Sequence, residues 1–250
     1  MDSKRRQLIT GISLAGAGVL ITACRPNSGS SGTAANENTK NEGPKTGEEE
    51  TLEVTATEDL MREHGILRRA LLVYQESVVK LRQDAASVPP DALEKVANLF
   101  RVFGEEYHER KLEEVYIFPT VKKAPGIAAS YIDVLSQQHT RGREITDYVL
   151  SITKADRIAS NSVEPLAKAL EAFVRMYEHH AAIEDTVIFP AWKSAIGQTE
   201  LDDLGEKFEE IEHEQFGGDG YDIALKRMEE IESSLGLSNL EMFTAPAPPK

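Results

Sequence analysis

Four histidines, His64, His108, His139 and His180, fall one to each of four long stretches of helical periodicity. Imidazole nitrogens and carboxylate oxygens, without sulfur, form the donor set that suits iron, manganese or zinc. Glu184 follows His180 by four residues, so both side chains leave one helical face within about 6 Å of each other. That face is also the apolar one, and no arginine or lysine shares it to neutralise the carboxylate. Burying an unpaired carboxylate costs several kcal/mol, and coordination to a metal ion removes that cost. A lone histidine on an apolar stripe is ordinarily a satisfied core residue. One histidine from every helix, accompanied by carboxylates, points instead to a cation held in the middle of a bundle.

The second stretch departs from regular spacing. His108 and Glu113 are five apart, which on an α-helix separates them by roughly 140°. Comparing the two halves of the chain explains the offset. The run Glu113-Glu114-Val115-Tyr116-Ile117-Phe118-Pro119 repeats 71 residues later as Glu184-Asp185-Thr186-Val187-Ile188-Phe189-Pro190, whereas Phe103 and Tyr107 match Phe173 and Tyr177 at an offset of 70. The second helix therefore carries one extra residue, and a π-bulge is the usual way to absorb it, often at a functional site. Such a bulge joins His108 to Glu113; without it the competing pairs are Glu109 with Glu113, or His108 with Glu114. Glu109 is a further candidate ligand. So are His179, about 100° around the helix from His180, and His213, off the stripe of its own helix.

The elements that must position these groups are all helices. Leu60, His64, Leu67, Leu71, Tyr74, Val78 and Leu81 recur at steps of three and four, with Thr57 as the expected cap. Pro89-Pro90-Asp91 opens a second helix on Leu93, Val96, Phe100, Phe103 and Tyr107, which Pro119 is expected to stop. A third begins near Gly126 and carries Ile132, Leu135, His139, Thr146, Val149 and Ile152; a fourth runs from near Val163 to Pro190. Two such hairpins with short connections predict an all-α, up-down-up-down four-helix bundle over 57–190. Further helices are expected over 199–236, with a first segment from Glu200 to Phe216. The helical domain thus covers 57–240, with a loose tail over 241–250.

Composition narrows the function. Acidic residues outnumber basic ones 42 to 28, for a net charge of -14, so nucleic acid is excluded as an expected partner. One cysteine, Cys24, allows neither an internal disulfide nor a thiolate metal site. Lys4, Arg5 and Arg6 precede an uncharged run to Ala23, the pattern of a signal peptide over 1–23. Ile21-Thr22-Ala23-Cys24 resembles the lipobox of bacterial lipoproteins, which implies cleavage before Cys24, lipidation there, and a membrane anchor on the periplasmic side of the cell envelope. Arg5-Arg6 resembles a twin-arginine signal, which implies export of the folded chain. Residues 24–56 read as a flexible linker.

The histidines in order, with His-plus-Glu motifs running into Phe-Pro, are similar to the hemerythrin-like, or HHE cation-binding, family over about Thr57 to Pro190. The resemblance implies a non-haem site of two iron ions, with manganese or zinc as alternatives, on His64, His108, Glu113, His139, His180 and Glu184. It implies Glu113 and Glu184 as bridges. Oxygen-carrying members have another histidine one turn after His139, where this chain has Arg143. That departure weighs against simple oxygen carriage and leaves a position that is either open or filled by a carboxylate such as Glu109. The leading expectation is binding or sensing of O2, NO or peroxide. A di-iron oxidase or peroxidase with turnover, and a metal-free scaffold, are the competing readings.

Overall fold

The computed structural model describes residues 54–249; the expected signal peptide, Cys24 and most of the linker lie outside them. Among the described residues there is no strand, and the chain is an all-α bundle of the hemerythrin-like type with additional C-terminal helices. No described helix is long and apolar enough to cross a membrane.

Helix α1 (Ala56–Gln83) starts from Thr55, not Thr57. Thr55 and Glu58 form a reciprocal capping box, in which the Glu58 carboxylate accepts the Thr55 N–H at 2.8 Å. Thr57, two residues further on, is buried instead. The second bundle helix runs from α2 (Pro90–Leu99) through a π-helical stretch (Phe100–Ile117) into α3 (Phe118–Lys123). A short 3-10 turn (Ile127–Ser130) precedes α4 (Ile132–Thr153), so the third helix begins later than Gly126 suggested. The fourth bundle helix is α5 (Ser160–Ile183), which passes through a second π-helical stretch (Glu184–Ile188) directly into α6 (Phe189–Phe216).

Neither proline ends its helix as expected. Phe118 donates its N–H to the Glu113 carbonyl and Phe189 to the Glu184 carbonyl, each five residues back. The widened turn places Pro119 and Pro190 in the first turn of a fresh α-segment, where a missing N–H costs nothing. The break in α6 falls instead at Gly197, whose φ of 78° and ψ of 174° are non-helical. Gly217, left-handed at φ 71°, terminates α6, and Asp219 caps α7 (Gly220–Ser234). A single 3-10 turn (Leu240–Phe243) interrupts the irregular tail.

Short connections set consecutive bundle helices side by side, α2 against α4 and α4 against α5, and the first helix α1 packs on the fourth, α5, to close the ring. Every apolar residue of the α1 stripe is buried, as are Leu93, Val96, Phe100, Phe103 and Tyr107 of the second helix. Helices α6 and α7 cover the side formed by α1 and the second helix. Phe216 packs on Tyr107 at 5.2 Å, Trp192 stacks on Phe208 at 5.8 Å, and Arg69 ties α1 to Glu232 of α7. This cover seals the half of the bundle that carries the histidines of the first two helices.

Candidate metal centre

His64, His108, His139 and His180 are all at least 97% buried, and each ring is fixed from outside by an oxygen on Nδ1. The partners are Asp185 for His64 at 2.7 Å, Glu63 for His108 at 2.5 Å, Glu114 for His139 at 2.9 Å, and the Gln138 amide oxygen for His180 at 2.9 Å. A carboxylate only accepts, so each Nδ1 must donate, and in the neutral ring Nε2 then carries a lone pair directed inward. His64 Nε2 lies 3.0 Å from His108 Nε2, and His139 Nε2 lies 3.1 Å from His180 Nε2. Two lone pairs facing at that distance repel unless a proton or a cation lies between them.

The carboxylates complete the set. Glu113 reaches one histidine pair with Oε1, 3.4 Å from His108 Nε2, and the other with Oε2, 3.3 Å from His139 Nε2. Glu184 Oε2 lies 3.0 Å from His180 Nε2 and 3.5 Å from His64 Nε2. Both glutamates are fully buried, and none of their four oxygens receives a well-formed hydrogen bond. Ligand atoms about 2.1 Å from a cation and at right angles to one another are about 3.0 Å apart. The donor atoms therefore sit at the spacing of adjacent corners of a coordination shell. They fall into two groups that share Glu113: His64 with His108, and His139 with His180 and Glu184.

Electrostatics describe the same need. Burial pushes His108 and His139 down, but Glu113 with Glu63, and Glu109 with Glu113 and Glu114, outweigh it and hold both rings well above the ordinary imidazole range. Burial opposes ionisation of Glu113, yet His108 and His139 hold it well below the usual carboxylate range. Glu184 goes well above that range through burial and the neighbouring Glu113 charge. His180 falls to about 3 through burial and the charge of His139. Protons on this cluster stand where a cation would otherwise balance the charge.

The repeat builds the site twice. The residue before the α1 or α4 histidine, Glu63 or Gln138, holds the histidine of the following helix. The residue after each inward glutamate, Glu114 or Asp185, holds His139 or His64. Phe118 and Phe189 of the Phe-Pro motifs stack on those same rings, His139 at 5.2 Å and His64 at 5.4 Å. The π-helical stretch brings His108 and Glu113 together and sends Glu114 to the back of His139.

Glu109, which lies at ligand spacing from Glu114 and His139, is also held by its neighbours. It accepts the Tyr177 hydroxyl at 2.7 Å and pairs with Arg143 at 3.1 Å, and Arg143 also holds Glu114. The guanidinium supplies positive charge there, leaving Glu109 bound to its neighbours. His179 and His213 are exposed, away from the inward set. Sequence reasoning missed Glu63, Gln138, Asp185 and Tyr177. The first three were detectable as residues adjoining a ligand in both halves of the repeat.

Beside the histidines is a cavity of about 10 Å³, lined in part by Leu67, Leu71, Ala181, Tyr177 and Glu109. That is room for about one water-sized molecule.

Helical bundle and inward His/Glu cluster together define a cation-binding bundle protein. The family profile of the Hemerythrin HHE cation binding domain matches residues 55–192 and, overlapping, 130–244. The chain belongs to this family and carries its cation-binding character. The overlap is what a doubled hairpin produces, since α4 and α5 resemble α1 and the second helix. Proteins described as uncharacterized, from Mycobacterium bovis and from two strains of Mycobacterium tuberculosis, are 43% identical over 202 residues, covering 80% of this chain and 78% of each relative. No solved structure matches the chain.

Proposed function

We propose that this protein holds two non-haem iron ions and binds or senses a small oxidant, O2, NO or peroxide, at the outer face of a cell membrane. The observation that carries this reading is the pair of inward Nε2 couples, at 3.0 and 3.1 Å, bridged by glutamates with unpartnered oxygens. His64 and His108 would hold one ion, His139 and His180 the other, with Glu113 and Glu184 between them. Iron there would supply the redox chemistry and the open position for the oxidant.

The chain's own residues do the rest. Outer oxygens on each Nδ1 keep the rings oriented and raise their basicity as ligands. Leu67, Leu71 and Ala181 keep the cavity apolar, and its size suits a diatomic molecule or peroxide over anything larger. The Tyr177 hydroxyl and Glu109 place a proton at its edge.

That last pair suits a second reading, a di-iron oxidase or peroxidase with turnover, because complete reduction of O2 or peroxide consumes protons. Anaerobic reconstitution with ferrous iron, metal analysis and a spectrum after exposure to O2, NO or peroxide test the first reading. About two ions per chain and a new absorption band on exposure support it; fewer than one ion per chain overturns it. Continued peroxide consumption with a reductant selects the second reading.

The location follows from the signal-peptide pattern and Cys24. Fatty-acid labelling of the membrane fraction that disappears in Cys24→Ala supports the lipid anchor, and a soluble, unlabelled wild-type protein contradicts it.

A further inference from the structure

A cavity of about 500 Å³ opens between α4 and α5, and no residue of α6 or α7 lines it. Its size falls in the range of small-molecule sites, roughly 300–1,000 Å³. Val134 and Leu135 of α4 and Met176 and Ile183 of α5 give it apolar walls. No aspartate or glutamate lines it, although the chain holds 42 of them. Its polar groups are Arg175 and His179, one helical turn apart on the exposed rim of α5, and Gln138 beside His180.

The repeat shows that the charge of this place has been inverted. His64 matches His139 at an offset of 75, so Val134 and Gln138 stand where the first half has Asp59 and Glu63. Arg175 lies between Phe173 and Tyr177, and its counterpart between Phe103 and Tyr107 is Glu105. An apolar residue, an amide and a cation thus replace three acids. The acids of the first half have partners within the fold: Asp59 pairs with Arg62 at 3.4 Å, Glu63 with His108 at 2.5 Å, and Glu105 with Arg101 at 3.1 Å. Phe216 of α6 covers that half, packing on Phe103 and Tyr107. In the second half neither Arg175 nor His179 forms an ion pair with a described residue. Gln138 gives its amide oxygen to the Nδ1–H of His180 at 2.9 Å. Its NH2 group therefore points away from that ring, on the side of the cavity, with two N–H donors to offer.

We propose that this groove binds an apolar monocarboxylate, a small organic acid whose hydrocarbon part lies on Val134, Leu135, Met176 and Ile183 and whose carboxylate meets the Arg175 guanidinium and the Gln138 amide. Burial of the hydrocarbon supplies the affinity. A guanidinium and an N–H donor at one end select the charge, since a planar guanidinium pairs with a carboxylate through two parallel hydrogen bonds. Over most of a surface of net charge -14 an organic anion is repelled. A lining without acids removes that repulsion here. His180 forms a wall both of this groove and of the small cavity beside the metal centre, so the acid occupies the Gln138 side and leaves the oxidant cavity free. The proposal stands whether or not the centre holds iron.

Calorimetric titration of the full chain with octanoate tests this. Binding should saturate at one molecule per chain with a Kd of about 1 mM or below. Octylammonium, the same tail with the opposite charge, should bind at least about tenfold more weakly. Arg175→Gln should weaken octanoate about tenfold and leave uncharged octanol unchanged. Ala172→Trp, at an exposed position on the rim, should abolish binding of both while circular dichroism shows the helices retained. Absence of saturable binding, equal affinity for octanoate and octylammonium, or octanoate binding that neither substitution alters overturns the proposal. A dimer in sedimentation that Ala172→Trp disperses would assign the groove to a second copy of the chain and overturn it as well.

Discussion

At the scale of single residues the two halves of the site are alike in plan and unlike in charge. His64 and His108 are backed by the carboxylates of Asp185 and Glu63. His139 and His180 are backed by Glu114, which Arg143 also claims, and by the neutral amide of Gln138. Partners of this kind are worth about 10- to 100-fold in metal affinity. Gln138→Glu should therefore tighten the second metal position, and Glu63→Gln should weaken the first, each by about tenfold in competition with a chelator. Equal affinities in wild type and both variants would remove this asymmetry. The raised His108, His139 and Glu184 mean that a cation must displace protons. Metal affinity should rise with pH, and an indicator dye should register proton release on metal addition; uptake without release contradicts the protonation pattern. Glu105 gives a separate signature in the metal-free protein. Its folded value, about 7 against an ordinary 4.5, is raised, so its contribution to stability is present below 4.5 and lost as pH climbs to 7. Across that window the wild type should lose up to about 3 kcal/mol relative to Glu105→Gln in denaturant melts. His64, His139, His180 and Glu184 were legible as residue types on apolar faces, whereas His108 with Glu113 rested on the change of offset in the repeat, with Glu109 and Glu114 as competitors. The groups behind them were not, because a polar residue beside a ligand looks like any solvated neighbour until the packing is known.

Elements turn those residue types into a site. The extra residue of the second helix was visible as the change of offset from 70 to 71, and the structure absorbs it in a π-helical stretch, Phe100–Ile117. Deleting exposed Arg110 should give His108 and Glu113 the four-residue spacing of His180 and Glu184, so that a regular helix holds both on one face. Circular dichroism should then show helix retained with metal loading preserved, and loss of loading in a still-helical deletion variant contradicts the role given to the bulge. The second widened stretch, Glu184–Ile188, left no offset in the repeat and so no sign in spacing. Its only trace was the proline that follows. Pro119 and Pro190 misled for a related reason: a widened turn supplies the room that a proline ring lacks inside a regular helix. Gly142 shows the opposite relation, a helix weakened locally to admit a side chain from another. Gly142→Ala gains helix propensity but sets a Cβ 2.0 Å from the Tyr177 oxygen. Thermal unfolding should show a net loss of about 1–3 kcal/mol, partly restored when Tyr177→Phe is added. Stabilisation by Gly142→Ala alone contradicts the close approach.

At the scale of the described residues as a whole, the fold is a doubled hairpin closed around a polar centre and covered on one side by α6 and α7. Its all-α class and helix order were legible from periodicity, because bundle helices must present one apolar stripe each. The cover was legible only in part. The segment expected from Glu200 to Phe216 is the part of α6 beyond the break at Gly197, whereas the helical run from Phe189 to that break, which continues the fourth bundle helix past Pro190, was not expected. An acidic exterior of net charge -14 favours approach of cations and disfavours nucleic acid. Only the interior set of histidines and glutamates, at coordination spacing, gives those cations a place to stay. Anomalous diffraction at the iron edge, from crystals of the anaerobically reconstituted protein, measures this directly. Two peaks flanked by Glu113 and Glu184, one next to His64 and His108 and the other next to His139 and His180, are predicted. Iron at the exposed His179 or His213, or no peak among the four buried histidines, would contradict the account.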